Sequence, residues 1–129
     1  MRRRGGRLAV ALRSSVLESA PLSRTIQVRT AGSRLIVTGA LSSGSLGWML
    51  SARASCHRRT ITLEITAVRG PKRPVAGVED LEYEAVLEGA GPGRYLLRVN
   101  HIWLLDRDLS EMLVMPAFEG PVTFSSLPD

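Results

Sequence analysis

At 129 residues and 44% hydrophobic content, the chain is long enough for one domain with a core of its own. Aromatic content is only 5%, so Val, Leu, Ile and Ala must fill that core, and a mean hydropathy of +0.06 without a long apolar run argues against a membrane span. The formal charge of +5 belongs to one end: Arg2, Arg3, Arg4, Arg7 and Arg13 fall in the first thirteen positions, and the other twelve basic residues balance twelve acidic ones, so no folded basic face for nucleic acid is expected.

Residues 1–23 read as a segment apart. A basic start and the apolar run Leu8-Ala-Val-Ala-Leu12 are similar to a bacterial export signal, but Arg13 cuts the run at five residues where a signal core needs about seven to fifteen. A degenerate signal, a short amphipathic helix with Leu8, Leu12, Val16 and Leu17 on one side, and a disordered basic arm are the three readings. The first leans towards an extracytoplasmic location.

From residue 24 to the end the pattern is that of strands. Thr25–Arg29 and Arg34–Thr38 flank Ala31-Gly-Ser33 at hairpin spacing. Residues 39–47 are a Ser/Gly-rich loop, and Trp48–Arg53 is a short strand that leaves Cys56 in a loop. Arg59–Val68 alternates cleanly, with Ile61, Leu63, Ile65 and Ala67 inward and Thr60, Thr62, Glu64 and Thr66 outward. Gly70-Pro-Lys-Arg-Pro74 ends it and opens a longer connection.

The stretch from Tyr83 to His101 carries the clearest signal. Leu81, Tyr83, Ala85 and Leu87 share one parity, Tyr95, Leu97, Val99, His101 and Trp103 another, and Gly89-Ala-Gly-Pro-Gly93 separates them. Three glycines and a proline there favour a hairpin or a sheet-to-sheet corner over a helix. A simple hairpin would set Glu84 and Glu88 against Arg94 and Arg98 in cross-strand pairs. Residues 104–111 are ambiguous, and Met112–Met115 and Val122–Ser125 read as two closing strands around Gly120-Pro121.

Tyr83-x-Ala-x-Leu-x-Gly89 followed by Pro92-Gly93-x-Tyr95-x-Leu97-x-Val99 resembles the corner of bacterial immunoglobulin-like and transthyretin-like sandwiches, including carboxypeptidase regulatory-like domains. In that family the Pro-Gly makes the turn and the Tyr ring packs beneath it. Ala90 departs from the pattern, standing where leucine is usual. The resemblance implies a non-enzymatic module, often extracytoplasmic, and covers about seventeen residues directly.

Candidate chemistry is sparse. A nucleophile pair would need His101 to reach Cys56, because His57 adjoins Cys56 and points to the opposite face of an extended segment. One cysteine allows no intrachain disulfide, and neither His-x-His nor Glu-x-x-His spacing suggests a metal site. Asp106-x-Asp108 starts like a calcium loop but lacks its glycine and terminal glutamate. No phosphate-cradling motif is present, and no cofactor is implied. Trp48, Trp103 and His101 are the candidate ligand contacts, since tryptophans exposed on a sheet face stack on sugars, although core packing is their commoner use.

The sequence therefore predicts an all-β antiparallel sandwich of about seven to eight short strands, immunoglobulin-like or transthyretin-like, over residues 24–129. Its expected role is a non-catalytic module that contacts a protein partner through a sheet face or edge. A carbohydrate-binding module is the alternative, and a Cys/His enzyme the third reading.

Overall fold

The computed structural model describes residues 5–17, 26–46, 48–69, 75–104 and 112–124. In chain order these form β1 (Gly5–Leu17), β2 (Gln27–Ala31), β3 (Arg34–Leu46) and β4 (Trp48–His57). They continue as β5 (Thr60–Arg69), β6 (Val75–Glu88), β7 (Gly93–Leu104) and β8 (Met112–Phe124). The strands follow the order β2-β3-β6-β1-β4-β5-β7-β8, and β2 and β8 at its two ends approach each other. The result is a nearly closed, barrel-like sheet. The all-β expectation holds, but β5 and β7 run parallel, so the sheet is mixed rather than antiparallel throughout. No helix among the described residues is long and apolar enough to cross a membrane.

Residues expected to stand apart from the sheet supply a strand in its middle. Gly5 to Leu8 pair with β4, and Ala9 to Leu17 pair with β6, so β1 passes from one half of the barrel to the other. Leu8, Val10 and Leu12 pack against the core while Arg7, Ala9, Ala11 and Arg13 are exposed, which is strand alternation and not a helical face.

Two further expectations are corrected. The Ser/Gly-rich segment after Gly39 continues β3 to Leu46, because β6 supplies a partner along its length with one irregularity between Ser43 and Ser45. The two expected closing strands are one, β8, with Pro116 at a register shift and Pro121 opposite Leu96. Proline survives there because β8 is an edge strand and one row of its N–H groups has no ladder partner. The connection at 70–74, and residues 105–111 of the ambiguous segment with Asp106 and Asp108, lie outside the described residues.

The stretch from Tyr83 to His101 is a corner and not a hairpin. β6 and β7 are separated by β1, β4 and β5 in the sheet. Four residues, 89–92, can reach at most about 17 Å between Glu88 and Gly93, which suffices to cross the ~10 Å between facing sheets. The expected Glu–Arg pairs therefore do not form. Glu84 meets Arg13 of β1 at 2.7 Å, Glu88 meets Arg34 of β3 at 3.5 Å, and Arg98 meets Glu119 of β8 at 3.0 Å. Each pair joins neighbouring strands on the solvent face, where such contacts add little.

Inward positions of all the long strands meet in one core. Leu35, Val37, Ile61, Leu63, Ile65, Ala85, Leu97 and Val99 are completely buried there.

Candidate functional site

The barrel has a turn end, where the links at 32–33, 58–59 and 89–92 gather, and an opposite end where Met49, Val68, Leu104 and Met112 lie. Three groups of side chains stand out, one inside and one at each end.

Inside, Tyr83 on β6 and His101 on β7 face each other across the barrel. Tyr83 Oη and His101 Nε2 share a hydrogen bond of 2.7 Å, and the rings meet edge to face at 5.5 Å. Gly39 on β3, in register with Tyr83, makes the space, since a Cβ there would lie 2.8 Å from the Tyr83 hydroxyl and 2.5 Å from Ile26 Cδ1. Trp103 continues the row, edge to face with His101 at 6.2 Å. Burial opposes charge on both partners: it raises the Tyr83 phenol above its ordinary range and lowers His101 to about 4. The pair is thus neutral near pH 7, and its geometry is that of a structural strut.

Of the residues expected to contact ligand, the structure brings His101 and Trp103 together, with His101 buried and Trp103 half-buried. The Trp48 side chain lies outside the described residues. Tyr83, at 1% exposure, offers no face to a sugar ring. Cys56 and His101 do not converge. Cys56, half-buried near the end of β4 and not in a loop, is in register with Ile61, whereas His101 is in register with Ile65, opposite Ala52. That offset of four residues is about 13 Å along the strands. Among the described residues, no three His, Cys, Asp or Glu side chains gather to hold a metal ion.

At the turn end the corner is built around Tyr95. Its hydroxyl donates to Gly91 O at 3.0 Å, and its ring packs edge to face on Phe124 at 5.5 Å. The Arg59 guanidinium lies 4.8 Å from the Tyr95 ring centroid and donates to Pro92 O. Arg58 and Arg59 form the β4–β5 turn with φ of 50° and 65°, the left-handed region that Asn-Gly usually occupies in such turns. Beside them lies a cleft of roughly 760 Å³, lined by Arg7, Leu8, Cys56, Arg58, Arg59, Glu88, Ala90 and Tyr95 among others.

At the opposite end an apolar row crosses the outside of the sheet. Met49, Val68, Leu104 and Met112 are in register on β4, β5, β7 and β8. Met49 and Met112 are 57% and 58% exposed, and Val114, 46% exposed, pairs with Ile102 beside the row. Leu113 and Met115, in register with Trp103 and His101, are also about half exposed. The five residues of β2 cannot span the thirteen of β8, so among the described residues most of that edge has no strand beside it.

The sequence identifies Met112–Met115 only as a closing strand and does not reveal this row. Its exposure depends on strand order, which local patterning does not encode. Comparisons with protein-family models, with curated proteins and with solved structures return no match.

Proposed function

We propose that this chain is a non-catalytic binding module that contacts a protein partner through the outer face and free edge of the β7–β8 pair. The observation that carries this reading is the row Met49, Val68, Leu104 and Met112 with Ile102 and Val114 beside it, contiguous apolar residues next to a part of the same face that carries Ser51, Arg53, Thr62 and Glu64. Contiguous exposed apolar surface of this kind marks interaction sites. Met112 to Met115 also precede Pro116, so their outward N–H and C=O groups can extend a sheet, whereas the prolines blunt the remainder of β8.

In the same reading, the two half-sheets that share β1 correspond to the layers of an immunoglobulin-like or transthyretin-like sandwich. The support is local: the Tyr95 ring and hydroxyl brace the Gly/Pro corner in the way the resemblance implies.

The test is photo-crosslinking in the native host. A photoreactive residue at Val114 should give a discrete protein adduct, and one at Thr62 on the polar part of the same outer face should not. Met49→Lys combined with Met112→Lys should abolish the adduct in a protein that keeps its thermal midpoint. Equal labelling from both positions would overturn the assignment.

A further inference from the structure

The cleft at the turn end has no part in the contact surface proposed above, and its chemistry differs. Arg7 and Arg58 line it, and neither has a carboxylate partner among the described residues. Arg59, the third cation, is fixed in place by Tyr95 and by Pro92 O. Glu88 is the single acid among the described lining residues, and Arg34 pairs with it at 3.5 Å. The uncompensated charge of the cleft is therefore positive. Leu8, Ala9, Ala90 and the Tyr95 ring supply apolar wall, and a volume of roughly 760 Å³ lies within the range of small-molecule sites.

The β4–β5 turn adds an independent observation. Non-glycine residues at positive φ are strained, and such strain persists where the side chain has a use. For Arg59 the use is visible, since it braces the corner and its carbonyl accepts from Leu96 N at 2.8 Å. Arg58 has the same backbone strain, an exposed side chain, and no hydrogen bond or ion pair among the described residues to offset it. A guanidinium kept at a strained turn, on the rim of a positive cleft, is placed to meet an anion.

We propose that this cleft binds a small organic phosphate, with Arg58 and Arg7 as the oxyanion contacts, Arg59 as a fixed positive charge behind them, and the Tyr95–Ala90 wall against the organic part. Guanidinium groups suit phosphate because their paired N–H donors match its oxygens. A dianionic head is favoured over a carboxylate because three cations face a single, already paired acid.

The probe is phenyl phosphate, titrated into isotope-labelled full chain and followed by amide NMR. Saturable shifts are expected at Leu8–Ala9, Arg58–Arg59 and Gly89–Gly91, with affinity falling as salt rises and benzoate binding more weakly. Arg58→Gly is the decisive variant: it relieves the left-handed strain, so its thermal midpoint should rise while binding weakens at least about tenfold. Arg7→Gln should weaken binding without changing the midpoint. Absent or scattered shifts, equal binding of benzoate, or unchanged affinity in the folded Arg58→Gly variant would each overturn the proposal.

Discussion

Tyr83 Oη and His101 Nε2 lie 2.7 Å apart inside the barrel and tie together β6 and β7, two strands that three others separate in the sheet. The bond bridges opposite walls, so neither strand's own ladder can replace it. Tyr83→Phe should cost about 1–3 kcal/mol, because it leaves a buried imidazole nitrogen without its partner. Chemical denaturation of the single variants and of the Tyr83→Phe/His101→Phe double variant checks this. The double variant should lose less than the sum of the singles, and strict additivity would show that the two groups do not interact.

The same pair makes stability depend on pH. His101 is lowered to about 4 in the folded chain from its ordinary 6.5, so between those values the unfolded chain binds the extra proton. Its contribution is fully present above about pH 6.5 and is lost as pH falls towards 4, an effect on the order of 3 kcal/mol. His101→Gln, which can still hydrogen-bond Tyr83 but does not titrate, should flatten the stability profile across that window. Unfolding free energies measured at half-unit steps would show it, and parallel profiles for the two proteins would refute it.

Gly39→Ala tests the space around the strut. The added methyl would sit 2.5 Å from Ile26 Cδ1 and 2.8 Å from the Tyr83 hydroxyl. Ile26 can turn its terminal carbon aside, but the Tyr83 ring, buried and hydrogen-bonded to His101, must shift, at a cost of about 1–3 kcal/mol. Combining Gly39→Ala with Tyr83→Phe should recover part of that loss, because the second change removes the nearest obstructing oxygen. Thermal unfolding of the three variants decides it.

Strand alternation made β5 and β7 legible from sequence to within a few residues and assigned the inward faces of β5, β6 and β7, but the first residues of β6, from Val75, read as part of the connection before it. Strand order was not legible. Gly89 to Gly93 carries the same glycines and proline whether the chain turns back on itself or crosses the barrel, and only non-local pairing distinguishes the two. That choice decided the fate of Glu84 and Glu88, which took Arg13 and Arg34 as partners in place of Arg94 and Arg98. β1 was obscured differently: Arg7-Leu-Ala-Val-Ala-Leu-Arg13 alternates in size and charge, but its alanines blur the contrast and its arginines imitate an export signal. At the turn end Cys56, Arg58 and Arg59 were visible as residues, while the cleft beside them required the corner and β1 to be brought together.

Because β1 holds the two halves of the barrel together, deleting residues 1–20 should abolish cooperative unfolding altogether. The truncated chain would expose the edges of both β4 and β6, and it should aggregate or lose near-ultraviolet dichroism at temperatures where the full chain is folded. A truncated chain that stays monomeric and unfolds cooperatively would show that β1 is dispensable.

The position of β1 also sets an order of events during synthesis. Val10 pairs with Leu87, so β1 must wait for more than seventy further residues before its longer partner exists. Only β2–β3 and β4–β5 can zip locally in the meantime. Closure of the barrel is therefore a late, long-range step, and folding should be slow for a chain of this size. Until then the nascent protein carries a strand without its longer partner, and that open edge favours aggregation during synthesis.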